Sequence, residues 1–448
     1  MRKLNHFPYQ KVLVLGLAKS GTAVAKLLAA NGINVVANDL KASENNEHVQ
    51  QLRSLDIPVV LGDHPLELLE NVDVIIKNPG IPYENILVEK AMEYDIPILT
   101  EIELIPYFGI EHLVAITGSN GKTTTTTLIY EMYKKGDVPV CLAGNIGHVA
   151  SEVAAQMSDR QTMVAELSSF QLLGIDVFKP KVAVLLNLFE AHLDYHHTLE
   201  NYHNAKANIF KNQTEHDYLV YNYDDERVVQ ITDKAQSKLI PFSRKQEVLS
   251  GTYCKEQAIY FQGTKVIDLE SIALVGEHNL ENILAAISVS KIEGISNQSI
   301  QDVLTTFTGV SHRLQFVKKV EGRLFYNDSK ATNILATTKA LGAFQQPTIL
   351  LAGGLDRGNE FDELGPFMKD VKALVLFGET ANKIKKMGEA YRVPTIKLVE
   401  TMSEAVQYAY DISSDGDVVL LSPACASWDQ YKTFEERGNM FMDYVHNL

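Results

Sequence analysis

The run Thr117-Gly118-Ser119-Asn120-Gly121-Lys122-Thr123-Thr124 carries the plainest chemistry in the chain. It follows an apolar stretch, Leu113-Val114-Ala115-Ile116, and opens a helix-period stretch over residues 123–135. A glycine-rich turn there lets backbone N–H groups close around phosphate oxygens, and the helix N-terminus adds partial positive charge. Lys122 is placed to pair with β- and γ-phosphates, and the Thr123 hydroxyl to bind Mg²⁺. The standard pattern has glycine at position 116, where Ile116 stands, so the loop reads as a shortened GxxGKT variant.

Other reactive side chains follow apolar runs in the same way. Glu166 ends the run Thr162-Met163-Val164-Ala165, a natural place for a Mg²⁺ ligand beside a phosphate-loop strand. Residues 187–197 collect Glu190, His192, Asp194, His196 and His197. They could hold a metal, but their spacing matches no zinc motif and does not choose among the three histidines. Lys206, between Ala205 and Ala207 in the helix-like stretch 199–212, reads from spacing alone as a solvated surface lysine.

Near the start, Gly16-Leu17-Ala18-Lys19-Ser20-Gly21 joins a strand to a helix, and Asp39 ends the next strand. That arrangement suits a nucleotide-type ligand, although NAD is disfavoured because the turn is not GxGxxG. In the last third, His312-Arg313, the stretch 327–333, the glycine turn 353–358 and the stretch 422–429 also surround apolar runs. Strand ends presenting Lys330, Arg357 and Ser427 suit a small acid with two carboxylates.

The elements that must position these groups are short Val-, Ile- and Leu-rich runs ending in turn residues, alternating with helix-period stretches. Such alternation means α/β architecture, with parallel sheets covered on both faces. Three blocks emerge: residues 1–99, 100–309 and 310–448. The polar stretch 223–274 in the middle block reads as short antiparallel strands and turns. Length agrees, since 448 residues favour about three domains. A net charge of −15 argues against nucleic-acid partners, which need basic surface. Three scattered cysteines fit a reducing cytoplasm. No stretch approaches the apolar length of a spanning helix, so no membrane insertion is expected.

Taken in order, Thr117–Thr124, Gly144-Asn145-Ile146-Gly147, residues 165–172, His192-Leu193-Asp194-Tyr195-His196, residues 276–282, Ser311-His312-Arg313, residues 327–333 and residues 420–438 resemble the Mur ligases of peptidoglycan synthesis. The resemblance covers essentially the whole chain. Residues 327–333, 352–358 and 422–430 are similar to those of D-glutamate-adding members. The resemblance implies three domains: a Rossmann-like N-terminal domain binding a UDP-substrate, a central P-loop domain with a small antiparallel sheet, and a Rossmann-like C-terminal domain binding the amino acid. It implies an ADP-forming ligase that joins D-glutamate to UDP-N-acetylmuramoyl-L-alanine through an acyl phosphate, using ATP and two Mg²⁺ ions. The expected enzyme is a cytoplasmic monomer.

Carried over by motif, Gly118, Ser119, Asn120, Gly121, Lys122, Thr123 and Thr124 are expected at the ATP phosphates, Asn279 and Asn282 on the adenine side, and Arg313 and Asp328 at the γ-phosphate and ribose. Thr123, Glu166, His192 and Lys206 are expected at the metals, with Lys206 as a carbamate. The resemblance thus opposes the surface reading of Lys206. Leu17, Ala18, Lys19, Asp39, Leu40 and Gly80 are expected at the uridine diphosphate, with Asn145 and Ser168 near the substrate and metals. Lys330, Thr332, Arg357, Ser427 and Phe434 are expected at D-glutamate. Relatives often have lysine at position 357 and arginine where Lys41 stands. Closure of the blocks is expected about a hinge at residues 308–311. Two other readings remain: a folylpolyglutamate-synthase-like glutamate ligase, which needs no separate uridine domain, and a P-loop ATPase switch, which leaves the polar strand ends of the third block without a role.

Overall fold

A computed structural model describes residues 2–274 and 276–448. It folds as two compact units, Met1–Phe307 and Thr308–Leu448.

The first unit holds two sheets. Five parallel strands run in the order Val59–Leu61, Asn34–Asp39, Lys11–Leu15, Val74–Lys77, Ile98–Leu99. Val12 and Val14 enter the core on one face and Leu13 and Leu15 on the other, which is why this strand is continuously apolar. Strand order reverses between Lys11–Leu15 and Val74–Lys77, so the turns leaving these strands flank the crevice where ligands bind in open α/β sheets.

The second sheet has nine strands, in the order Thr264–Asp268, Ala258–Phe261, Thr252–Lys255, Lys238–Ser243, Tyr218–Asn222, Val182–Leu185, Leu113–Thr117, Thr162–Glu166, Val140–Gly144. Leu113–Thr117 is buried along its length and pairs in parallel with both neighbours. Here the structure corrects the expectation for residues 223–274. That stretch contains the helix Glu226–Thr232, which returns the chain so that Lys238–Ser243 adds in parallel. Only the last three strands form an antiparallel meander, and it extends the large sheet. Its two-residue turns carry left-handed pairs, Glu256-Gln257 and Gln262-Gly263, which match strand twist.

The second unit has six strands, in the order Gln315–Val320, Arg323–Asn327, Val418–Leu421, Thr348–Gly353, Val371–Phe377, Thr395–Leu398. The first pair is an antiparallel hairpin and the rest are parallel. Asn327, Gly353 and Leu421 end neighbouring strands, which gathers the turns that follow them at one sheet edge. Among the described residues, no helix is long and apolar enough to cross a membrane.

Candidate active site

The phosphate loop is built by two glycines whose backbones exclude other residues. Gly118 has φ +154° and Gly121 φ +81°, and a methyl group on Gly121 would overlap the Asn282 side-chain amide. The helix Lys122–Lys135 starts directly after. Asn187 clamps the loop from the next strand end. Its Oδ1 accepts from the Asn120 N–H at 2.8 Å, and its Nδ2 donates to the Asn120 carbonyl at 3.2 Å. The Ser119 hydroxyl lies 3.0 Å from the Tyr202 hydroxyl. Lys122 folds back over the loop, donating to the carbonyls of Gly118 at 2.9 Å and Ser119 at 3.2 Å. Thr124 lies in the first helical turn, half-buried. Asn282 is buried and donates to Asn279 Oδ1 at 3.2 Å.

Glu166 is 2% exposed, at the end of its strand. Its Oε2 accepts from the Thr123 hydroxyl at 2.8 Å and its Oε1 from Asn145 Nδ2 at 3.2 Å. A carboxylate and a hydroxyl this close are the hard oxygen donors Mg²⁺ takes. Among the described residues, no three His, Cys, Asp or Glu side chains converge as a ready-made metal cage. Ser168 serves locally, capping the short helix Ser169–Leu172 in a capping box with Gln171.

The structure overturns the surface reading of Lys206. The residue is 2% exposed, because the helix Leu199–Ala207 turns Tyr202, Ala205 and Lys206 inward. Its ammonium donates to the Gly118 carbonyl at 2.9 Å and faces the Tyr202 ring at 4.7 Å. Burial holds its pKa well below the usual amine range, the neighbouring Lys122 charge lowers it further, and Glu166 opposes both.

The three histidines left open by spacing part company in space. His196 is buried, with Nε2 3.0 Å from the Ser169 hydroxyl. Burial, then the nearby His192 and Lys206, push its pKa down to about 4. His197 is exposed and paired with Glu84 at 2.7 Å. His192 is exposed in left-handed backbone, edge-on to Phe170 with ring centroids 5.0 Å apart.

At the crevice of the first sheet, Asp39 Oδ2 accepts from the Leu17 N–H at 2.7 Å, and Oδ1 from the Lys41 and Ala42 N–H groups at 2.8 Å. Partial burial alone would raise its pKa; these three donors outweigh it and hold the carboxyl below its usual value. Asp39 therefore fastens the 16–21 turn to its own strand end. Leu17 is buried there, while Ala18, Lys19, Leu40 and Gly80 are exposed along the crevice. Spacing gave no role to Lys77, which is 1% exposed. A lysine closing an otherwise apolar buried strand was the available signal.

In the second unit, Asp328 is buried. It accepts from the Ser422 hydroxyl at 2.9 Å and the Leu314 N–H at 3.1 Å. Burial raises its pKa to about 7, against these donors and Arg313, which is itself exposed. Thr332 and Arg357 line one pocket with Ala424, Cys425 and Ala426. The Arg357 guanidinium lies 5.0 Å from the Trp428 ring centroid, and the Lys330 ammonium 5.2 Å from that of Phe434. The Ser427 hydroxyl is buried and, among the described residues, has no hydrogen-bond partner. Arg437, missed in the sequence because it sits in a charged helix, is fully buried and donates to the Ser329 and Cys425 carbonyls.

A strand–phosphate loop–helix with a carboxylate on the adjacent strand end defines a nucleotide-binding α/β enzyme. Family models narrow this. The Mur ligase MurD-like N-terminal domain matches residues 10–100, the Mur ligase middle domain 116–290, and the Mur ligase glutamate ligase domain 312–425. The chain belongs to the Mur ligase family. It is 55% identical over 450 residues to the UDP-N-acetylmuramoylalanine–D-glutamate ligase of Geobacillus kaustophilus, covering 100% of both chains. It is 54% identical to the enzyme of that name from Bacillus subtilis, covering 98% of both. Among solved structures, UDP-N-acetylmuramate–alanine ligase from Thermotoga maritima shares the fold. The TM-score is 0.55 at 18% identity, over 98% of this chain and 99% of that one.

Proposed function

We propose that this chain is an ADP-forming ligase that joins D-glutamate to UDP-N-acetylmuramoyl-L-alanine in cytoplasmic peptidoglycan precursor synthesis, acting as a monomer. The observation that carries this reading is the end-to-end similarity to relatives bearing that enzyme name. Residues 1–99 take the UDP-substrate, 100–309 take ATP and 310–448 take the amino acid.

An oxygen of the alanyl carboxylate attacks the γ-phosphorus of ATP, and ADP leaves. The amine of D-glutamate then attacks the acyl carbon and loses a proton. Phosphate departs carrying one former carboxylate oxygen, and an amide remains. Activation is needed because a carboxylate is a poor electrophile. Backbone N–H groups of residues 118–124 and the Lys122 ammonium hold the phosphates, with Lys122 leaving its resting carbonyl contacts to do so. Asn187 keeps the loop in shape, and Asn279 and Asn282 face the adenine side. Two Mg²⁺ ions, when bound, supply neutralisation of the phosphate charge. Thr123, Glu166, His192 and a carbamate on Lys206 would hold them.

Leu17, Ala18, Lys19, Asp39, Leu40 and Gly80 line the uridine diphosphate site, with Asn145 and Ser168 nearer the reacting carboxylate. Arg313 and Asp328 contact the γ-phosphate and ribose. Lys330, Thr332, Arg357, Ser427 and Phe434 receive D-glutamate. The buried, unpartnered Ser427 hydroxyl supports this, since a donor left dry in the fold suits a polar ligand.

The test is phosphate release with ATP, UDP-N-acetylmuramoyl-L-alanine and D-glutamate, omitting each in turn and labelling the carboxylate with ¹⁸O. Release that needs all three, with label in the phosphate, is expected. Equal ADP formation without the two small substrates overturns the reading in favour of a nucleotide switch.

A further inference from the structure

Lysine is seldom buried without a carboxylate partner, because removing its charge from water costs several kcal/mol. Lys77 is such a case: among the described residues it forms no ion pair, and Glu84 acts on it only through space. A strand needing only apolar packing has no use for an ammonium group at this point.

Its hydrogen bonds show what the group does. The ammonium donates to the Ile81 carbonyl at 2.8 Å, to the Tyr195 hydroxyl oxygen at 2.9 Å and, more weakly, to the Pro79 carbonyl at 3.4 Å. Tyr195 in turn donates to the same Ile81 carbonyl at 2.9 Å. The ammonium also faces the Tyr83 ring at 4.6 Å and the Tyr195 ring at 5.7 Å. Pro79 and Ile81 bracket Gly80, the exposed turn at the crevice where strand order reverses. That turn packs closely, for a methyl group on Gly16 would stand 2.8 Å from both Asn78 Cβ and Ile81 Cδ1.

Tyr195 belongs to the other sheet's layer, three residues after His192. Its ring meets Phe170 edge-on at 4.7 Å, and Phe170 meets His192 at 5.0 Å. The Glu84–His197 pair ties the same two segments at the surface.

We propose that Lys77 and Tyr195 act as positioning residues that lock the 78–81 turn against the segment carrying His192, holding the nucleotide end of the substrate at a fixed distance from the reacting end. This rests on the reading that the crevice takes the uridine nucleotide. Neither Lys77 nor Tyr195 is among the residues proposed for ATP or the amino acid, so loss of the clamp should weaken one substrate selectively.

The experiment compares Lys77→Met, Tyr195→Phe and the double variant with the unmodified full chain. It measures KM for each substrate, kcat, and calorimetric affinity for uridine 5′-diphosphate. We expect KM for UDP-N-acetylmuramoyl-L-alanine to rise roughly tenfold in Lys77→Met and about threefold in Tyr195→Phe, with uridine diphosphate affinity falling in step. KM for ATP should stay within about twofold. The double variant should be no worse than Lys77→Met, because both changes break one clamp. A fall in thermal stability with unchanged KM and uridine diphosphate affinity overturns the proposal, as does an equal rise in all three KM values. If Lys77→Met does not fold, Tyr195→Phe decides alone, and unchanged nucleotide affinity there overturns it. If the unmodified chain turns over normally but the variants do not differ, only this inference fails. If the unmodified chain neither binds nor turns over, the functional reading fails and takes this with it.

Discussion

The ammonium groups of Lys122 and Lys206 donate to one and the same oxygen, the Gly118 carbonyl, each at 2.9 Å. Two cations converging on one acceptor repel each other, and the buried one is the easier to discharge. A neutral amine is a nucleophile toward carbon dioxide. Carbamate formation releases a proton and turns a neighbour that repels Lys122 into an anion that attracts it. Stripping carbon dioxide from the protein at mildly acidic pH should lower activity, and bicarbonate should restore it. Lys206→Ala should lose at least about a hundredfold in kcat and gain nothing from bicarbonate. An active Lys206→Ala variant would remove the residue from the mechanism.

Gly121 offers a test of the loop that needs no assumption about metals. Gly121→Ala places a methyl group against the Asn282 amide and forces φ +81° on a residue with a Cβ. Left-handed backbone alone costs about 1–2 kcal/mol. KM for ATP should rise roughly tenfold or more. Adding Asn282→Ala removes the overlap but leaves the dihedral strain and discards a residue proposed for the adenine side, so recovery should be partial in thermal stability and absent in KM. Full recovery of both would mean that the overlap alone mattered.

What could be read in the chain was local. The phosphate loop, Glu166 and the turns after residues 353 and 421 follow apolar strands directly, so strand-end placement put the first two on one edge of the nine-stranded sheet and the last two on one edge of the six-stranded sheet without knowledge of strand order. What escaped depended on which face an element turns inward. Lys206 lies in a mostly polar helix with no clear apolar stripe, where only the packing of Tyr202 and Ala205 decides that the lysine is inside. The order of strands in the 223–274 stretch depended on the helix Glu226–Thr232, which is only seven residues long and so shows little helical period. Lys77 and Tyr195 are far apart in the chain, and their meeting is a property of how two sheets pack.

Asp328 carries a pH signature of opposite sign to a salt-bridged carboxylate. Its pKa rises from 3.8 to about 7 on burial. Between these values the folded chain keeps a proton that the unfolded chain has released, so stability falls as pH rises through that window. Asp328→Asn has no charge to bury. The variant should gain stability relative to the unmodified chain at pH 8 compared with pH 5, by roughly one to a few kcal/mol. Thermal denaturation at both pH values checks this. A difference independent of pH would show that Asp328 is ionised in the fold throughout.

Ser427 separates binding from folding. The residue is 2% exposed and its hydroxyl has no hydrogen-bond partner among the described residues, an arrangement that costs about 1–3 kcal/mol of desolvation. A group kept for folding would be satisfied internally; one kept for a ligand is satisfied on binding. Ser427→Ala should therefore raise the melting temperature slightly while raising KM for D-glutamate roughly tenfold, with KM for ATP unchanged. A lower melting temperature with an unchanged D-glutamate KM would assign the hydroxyl to the fold, and the pocket formed by Thr332, Arg357 and their neighbours would then have to bind the amino acid without it.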